Sequence, residues 1–442
     1  MFGLLLAWVV SANKVGRQDA APQIRALRCV LSFPWRIGFC KRSPMTNDLL
    51  PTVRLLPKGD ARAIRHGFPW AYANELVMDR RTKKLAPGTL AVLQDAERKP
   101  LGVVGVNPLS KITCRMLDRK AGTKIDHAWF VAKFRAALAH RDRLYPDPFY
   151  RLIHAEADGL PGVIVDRFGD TAVIQPNAAW ADKLLPTILD ALCDVTGVTN
   201  VIVNGTGRAR VLEGLDDRTE VGRGTAPTEP IPVPMNGAIY MADVMGGQKT
   251  GLFFDQRPNH AFVAGLSKDA KVLDVFSHVG GFGLAALANG AVSALAVDGS
   301  QDALALAAKG AAAMGVSDKF QTRKGDAFAV LEELAKEGAR FDVVVCDPPA
   351  FAPSKKALES GLRAYERVAR LAAPLVAEGG YLTLCSCSHA ADLTKFRNVS
   401  ARGIGRSGRR GQIIHTGFAG PDHPLMPHLA ESGYLKSLVF RL

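Results

Sequence analysis

From about residue 236 to the C-terminus, short apolar runs alternate with helical stretches, and this alternation constrains the fold more than any other feature of the chain. The runs are AKVLDVF, VSALAVD, FDVVVCD and GYLTLCS. Each is continuously apolar rather than alternating, as expected of a strand covered on both faces. A Gly-rich turn and the helical FGLAALANG follow the first run, and an Ala-rich helix over 301–313 follows the second. The pattern predicts an α/β fold with a Rossmann-like, doubly wound sheet. Such sheets bind ligands beyond the carboxyl ends of their strands, so the residues closing these runs are the candidate site.

The chain has 442 residues, 48% of them apolar, enough for two or three cores. Residues 45–119 carry short strand-like runs (TVRLL, GTLAVLQD, PLGVVGVN) separated by Lys58-Gly59, Pro87-Gly88 and Asn107-Pro108, which predicts a small, mostly β domain. Residues 120–235 predict a small central α/β domain. Its first helix is capped by Asp126 and carries Phe130, Phe134, Ala137 and Leu138 at helical spacing. A single helix is expected over WADKLLPTILDALCDVTG. The proline-rich PTEPIPVP marks an extended linker or a sheet edge before the domain of residues 236–442. Residues 1–44 lack a helical or strand period; a disordered extension or a start at Met45 is expected, with a targeting peptide as the alternative.

The net charge is +14. Seven basic residues against Asp19 in residues 1–44 account for +6, and the remaining +8 favours a polyanionic partner. Seven scattered cysteines form no disulfide framework, which points to a reducing cytoplasm. No apolar run is long enough to span a bilayer, so no membrane partner is expected. Nothing specifies the number of copies; a homodimer is compatible with the sequence.

In LDVFSHVGGFG, Gly280, Gly281 and Gly283 allow a ligand close to the backbone at a helix start. The spacing is not that of a dinucleotide fingerprint, which disfavours an NAD-linked enzyme. Asp274 lies inside the motif. Asp298, closing the next strand, is the candidate for two ribose hydroxyls. Asp326, in KGDAF, is the candidate for facing an adenine amino group. Taken singly, each acid could equally be a turn residue. Asp347-Pro348-Pro349 ends the fourth strand, and the adjacent Phe351 suits stacking on a base.

These stretches resemble the bacterial ribosomal RNA large-subunit methyltransferase I family of class I S-adenosylmethionine-dependent methyltransferases. HGFPWAYANEL, NPLSKITCRML, AEADGLPGVIVDRFGD, GQKTGLFFDQRPN, LDVFSHVGGFG, DPPAF, SCS and DHPLMPHLAESGYLKSL carry the resemblance from about residue 52 to 442. It implies an N-terminal RNA-binding PUA domain, a central α/β domain and a C-terminal catalytic domain. It also implies S-adenosyl-L-methionine as cofactor and methylation of carbon 5 of a cytosine in large-subunit ribosomal RNA. Arg257, within the stretch expected near the cofactor, is a candidate for contacting cofactor or substrate, or for a buried pair with Asp255.

Carbon 5 of cytosine is a weak nucleophile, and addition of a thiolate to carbon 6 activates it. The family's Ser-Cys-Ser aligns with residues 386–388, which makes Cys387 the nucleophile and leaves Cys385 as packing. Asp347 would hydrogen-bond the cytosine edge. Metal ligation by Cys385, Cys387 and His389 lacks a second Cys/His pair at zinc spacing, so no metal is expected. Many RNA cytosine-C5 methyltransferases carry a second cysteine directly after their Asp-x-Pro motif; here that position is Ala350. The rival readings are an exocyclic-amine methyltransferase, which needs no cysteine, and a non-catalytic RNA-binding assembly factor.

Overall fold

The computed structural model describes residues 50–247 and 250–442. The expected extension 1–44 and start at Met45 lie outside the described residues. The first five strands, β1 (Thr52–Arg54), β2 (Trp70–Ala71), β3 (Thr89–Gln94), β4 (Pro100–Val106) and β5 (Cys114–Asp118), form one sheet in the order β1-β3-β4-β5-β2. Val53, Leu55, Ala91, Leu93, Val104 and Val106 close its core. In β3 the buried residues Ala91 and Leu93 alternate with less buried ones, the period of a half-covered strand.

A second sheet follows, from β6 (Phe149–His154), β7 (Val163–Phe168), β8 (Thr171–Pro176), β9 (Asn200–Gly205) and β10 (Arg218–Arg223), in the order β10-β9-β8-β7-β6. Its first covering helix is His127–Arg141. Asp126 caps it by accepting from the Trp129 amide at 3.1 Å, and Phe130, Phe134 and Ala137 are buried, as their spacing predicts. The single helix expected over residues 180–197 is instead two, Ala179–Lys183 and Leu185–Thr196. Pro186 lies in the first turn of the second, where its missing N–H costs no helical bond. The two sheets are tied at Glu213, which accepts from Arg115 at 3.0 Å and from the buried Asn107 at 3.0 Å.

The proline-rich stretch forms an edge, the hairpin β11 (Ile231–Met235) and β12 (Ala238–Ala242). Pro232 and Pro234 face outward, while Val233, Met235 and Tyr240 bury in the core of the C-terminal sheet. That sheet contains β13 (Lys271–Val275), β14 (Ser293–Asp298), β15 (Phe320–Lys324), β16 (Phe341–Cys346), β17 (Val376–Ser386), β18 (Gln412–Gly417) and β19 (Lys436–Arg441). The order is β15-β14-β13-β16-β17-β19-β18, with β19 antiparallel to both neighbours. Val272, Val343, Val345 and Cys385 pack on one face; Leu273, Val275, Val344, Cys346 and Leu384 pack on the other. Both faces are covered, which is why these strands read as continuous apolar runs. Val275 pairs with Val297 and Cys346, and Cys346 pairs with Leu384. This register brings the carboxyl ends of β13, β14, β16 and β17 to one sheet edge. No helix of the described residues is long and apolar enough to cross a membrane.

Candidate active site

A cleft of about 420 Å³ opens at that edge. Its wall includes Asp274, Phe276, Ser277, His278, Gly281, Asp298, Asp347, Pro348, Pro349, Ala350 and Cys387. Asp274, Asp298, Asp347, Gly281 and Cys387 are thus brought together as the motifs suggest.

Asp274 is wholly buried. One carboxylate oxygen accepts from the amides of Phe282 at 3.2 Å and Gly283 at 2.8 Å, and the other has no hydrogen-bond partner among the described residues. Burial disfavours its charge and raises its pKa to about 7. Gly280 begins the helix Gly281–Ala288 in the left-handed region, at φ 81°, which only glycine adopts freely. Gly281 lines the cleft, whereas Gly283 serves it indirectly through its amide on Asp274. Asp298 accepts from the His278 amide at 2.9 Å and the Ser300 amide at 2.8 Å, which fixes the carboxylate at the cleft wall. Asp347 accepts from Gln256 Nε2 at 2.9 Å.

The two cysteines differ in direction. Cys385, still within β17, is 1% exposed and its thiol meets Ser437 Oγ at 3.5 Å. Burial pushes that thiol up. Cys346 is sealed in the opposite core and its thiol is also pushed up by burial. Cys387 follows the end of β17, escapes the strand's alternation and faces the cleft. The serines around it lock the turn: Ser388 Oγ accepts from the Ala352 amide at 2.9 Å and bonds the Tyr365 hydroxyl at 2.8 Å. Ser386 Oγ accepts from the Ser388 amide at 3.3 Å.

Three of the expected site residues lie outside the cleft wall. Phe351 is not in the cleft wall. Its ring packs against Tyr365 at 5.0 Å, Phe328 at 6.1 Å and Phe276 at 6.3 Å, because the loop after Pro349 turns into the apolar layer under the helix Leu358–Ala372. Asp326 is exposed and caps the helix Ala327–Lys336 by accepting from the Ala329 amide at 3.0 Å, outside the cleft wall. Arg257 also lies outside that wall. Its guanidinium stacks 4.0 Å from the Tyr145 ring centre and donates to the Phe149 carbonyl, which fastens its helix to β6. Arg402 and Arg406 both pair with Glu366 and brace two helices.

A family model described as a PUA-like domain matches residues 53–119, and one described as conserved hypothetical protein 95 matches residues 257–373. The ribosomal RNA large subunit methyltransferase I of Alteromonas mediterranea is 35% identical over 392 residues, covering 88% of this chain and 98% of the relative. Those of Aeromonas hydrophila and Vibrio cholerae are each 33% identical, over 391 and 400 residues, covering 87% and 89% of this chain and 98% and 100% of the relatives. The chain belongs to the ribosomal RNA large subunit methyltransferase I family. The fold agrees. The crystal structure of SMU.776, a methyltransferase complexed with SAH, matches at TM-score 0.74 and 18% identity, over 89% of this chain and 100% of that one. A SAM-dependent methyltransferase from Streptococcus mutans matches at TM-score 0.73 and 17% identity, with the same coverage.

Within this family's fold, sequence reasoning missed Gln256, His260 and Lys436. Gln256 sits beside Arg257 in GQKTGLFFDQRPN and donates to Asp347 in the cleft wall. His260 backs Gly281 in the cleft wall, and burial lowers its pKa to about 3, so the ring is neutral. Local sequence carries no signal for Lys436, whose place depends on the antiparallel return of β19.

Proposed function

We propose that the chain methylates carbon 5 of a cytosine in large-subunit ribosomal RNA, with S-adenosyl-L-methionine as donor and Cys387 as nucleophile. The observation that carries this reading is the presence of Cys387 in the same cleft as Asp274, Asp298 and Asp347, with Cys385 turned away into the core. The cleft suits the donor: a buried carboxylate oxygen of Asp274 and the Ser277 hydroxyl oxygen lack partners among the described residues. Asp298 would hold ribose hydroxyls, and Gly280, Gly281 and the Asp274–Gly283 link would keep the backbone close to the ligand. When bound, S-adenosylmethionine supplies an electrophilic methyl group on a sulfonium.

The chain's own residues do the rest. A cytosine leaves its stack and enters beside Pro348 and Pro349, whose rings offer a flat apolar wall. Asp347, oriented by Gln256, accepts from the exocyclic amine of the base. The Cys387 thiolate forms a bond to carbon 6, and the double-bond electrons become available at carbon 5, which would take the methyl group as its bond to the sulfonium sulfur breaks and that sulfur keeps the electron pair. The carbon 5 proton then passes to another base or to water, since Ala350 offers neither thiol nor base. Its electron pair restores the ring double bond as the sulfur–carbon bond breaks and the thiolate returns. The PUA-like module and the net positive charge support an RNA substrate.

The test is a large-subunit rRNA transcript containing 5-fluorocytosine, which has no proton to lose from carbon 5. Wild type and Cys385→Ser should form a persistent covalent complex, and Cys387→Ser should not. A complex that survives in Cys387→Ser would overturn the assignment. Continued methyl transfer by Cys387→Ser, without a complex, would mean methylation of an exocyclic amine.

A further inference from the structure

Lys436 is left unused by the steps above. It opens β19 directly opposite Ser386, the residue before Cys387. It is 3% exposed, and its ammonium donates to the Ser388 carbonyl at 2.7 Å and the Tyr434 carbonyl at 2.8 Å. No carboxylate pairs with it among the described residues. A buried ammonium held only by carbonyls is costly to keep charged. Burial accordingly lowers its pKa to about 8, while the nearby Cys387 thiol, and then Asp392, pull it the other way. That influence is reciprocal: a thiolate that favours the ammonium is favoured by it.

We propose that Lys436 is a positioning residue that holds the Cys387 sulfur as a thiolate at neutral pH by placing an ammonium beside it. This rests on the reading of Cys387 as nucleophile. The thiol proton goes to solvent, the sulfur keeps the electron pair, and Lys436 retains its own protons. Two tyrosines near the sulfur do not carry charge. Tyr365, from the helix Leu358–Ala372, and Tyr434, before β19, interact with Cys387 but stay neutral, because burial raises both hydroxyls. Asp347, across the cleft, opposes a second negative charge, so a cation is needed to offset it. Lys436 also fixes the turn, through the carbonyl of the residue after Cys387, so charge and position come from one side chain.

The pH profile of Cys387 alkylation by iodoacetamide, read on the mapped peptide in the RNA-free protein, tests the proposal. An opposite charge within about 4–6 Å moves a pKa by roughly 1–3 units. The Lys436→Met midpoint should therefore lie at least about one pH unit above wild type, with alkylation at pH 7 slowed by about tenfold or more. Lys436→Arg should keep the wild-type midpoint, and Lys436→Gln serves as the neutral variant if the Met protein does not fold. Coincident midpoints in wild type and the neutral variant would overturn the proposal, as would an Arg variant shifted as far as the neutral one. The 5-fluorocytosine complex separates the two readings. If it forms while the midpoints coincide, only the role of Lys436 falls; if the midpoints shift and no complex forms, only the nucleophile falls.

Discussion

Replacing Gly281 by alanine probes how tightly the cleft wall is built. A β-carbon there would lie 2.8 Å from Nε2 and 2.9 Å from Cε1 of His260, where ordinary contact begins at 3.4 Å. The wall must open by about 0.6 Å, a distance set by the same geometry. His260 has little room to retreat: Phe282 meets it edge-on at 4.4 Å, and Tyr240 stacks on it at 6.1 Å. The helix start is equally held, since the Tyr240 hydroxyl donates to the Gly281 carbonyl at 3.0 Å. Overpacking of this kind costs about 1–3 kcal/mol. At about 2–4 °C per kcal/mol for a domain of this size, melting should fall by roughly 2–12 °C. Calorimetry of Gly281→Ala, His260→Ala and the double variant isolates the cause. With the imidazole removed, adding the methyl group should cost almost nothing, which gives a coupling energy of at least about 1 kcal/mol. An equal cost of Gly281→Ala in both backgrounds would refute the argument from the imidazole.

Asp298→Ala removes a charged acceptor worth roughly 1.5–3 kcal/mol, so S-adenosylmethionine affinity by titration calorimetry should drop at least about tenfold; unchanged binding would make Asp298 a turn residue only. Asp274 has a folded-state pKa raised to about 7, so its stabilising protonation is complete below the unfolded value of about 3.9 and is lost as pH rises through 7. The melting temperature of wild type relative to Asp274→Asn should therefore decline between pH 4 and 7 and then level; a flat difference contradicts the burial argument. Gln256→Leu removes the donor that orients Asp347, and methyl transfer at saturating RNA should fall at least about tenfold with cofactor affinity kept; full activity would leave Gln256 a packing residue. Arg80, Arg81, Lys83 and Lys84 are exposed on the PUA-like module. Replacing all four by serine should weaken RNA binding and flatten its salt dependence, the slope falling by about 0.7–0.9 for each phosphate no longer neutralised, and an unchanged slope would place the RNA elsewhere.

The doubly wound sheet was legible because a strand covered on both faces has no polar period to confuse it with a half-exposed one. The acids closing β13, β14 and β16 were legible as candidates because ligands gather beyond the carboxyl ends of such strands. What sequence does not carry is direction. Phe351 stands beside the Asp-Pro-Pro motif, yet the loop turns its ring into the aromatic layer, and nothing in residues 347–351 distinguishes the two outcomes. Arg257 and Gln256 are neighbours on one short stretch; the guanidinium has a ring and a carbonyl of the preceding domain to reach, so the amide meets the cleft. The break at Leu184 went unread because Pro186 is as acceptable in a first helical turn as it is disruptive in an interior, and the flanking apolar pattern continues across the join. The two cysteines mark the boundary between the cases. Alternation along β17 assigns Leu384 to one core and Cys385 to the other. It has no further say once the strand ends at Ser386, and Cys387 is released to the cleft. Lys436 lies beyond any local rule, for it reaches the carbonyl after that cysteine across a pairing of strands about fifty residues apart, which only the closed sheet creates.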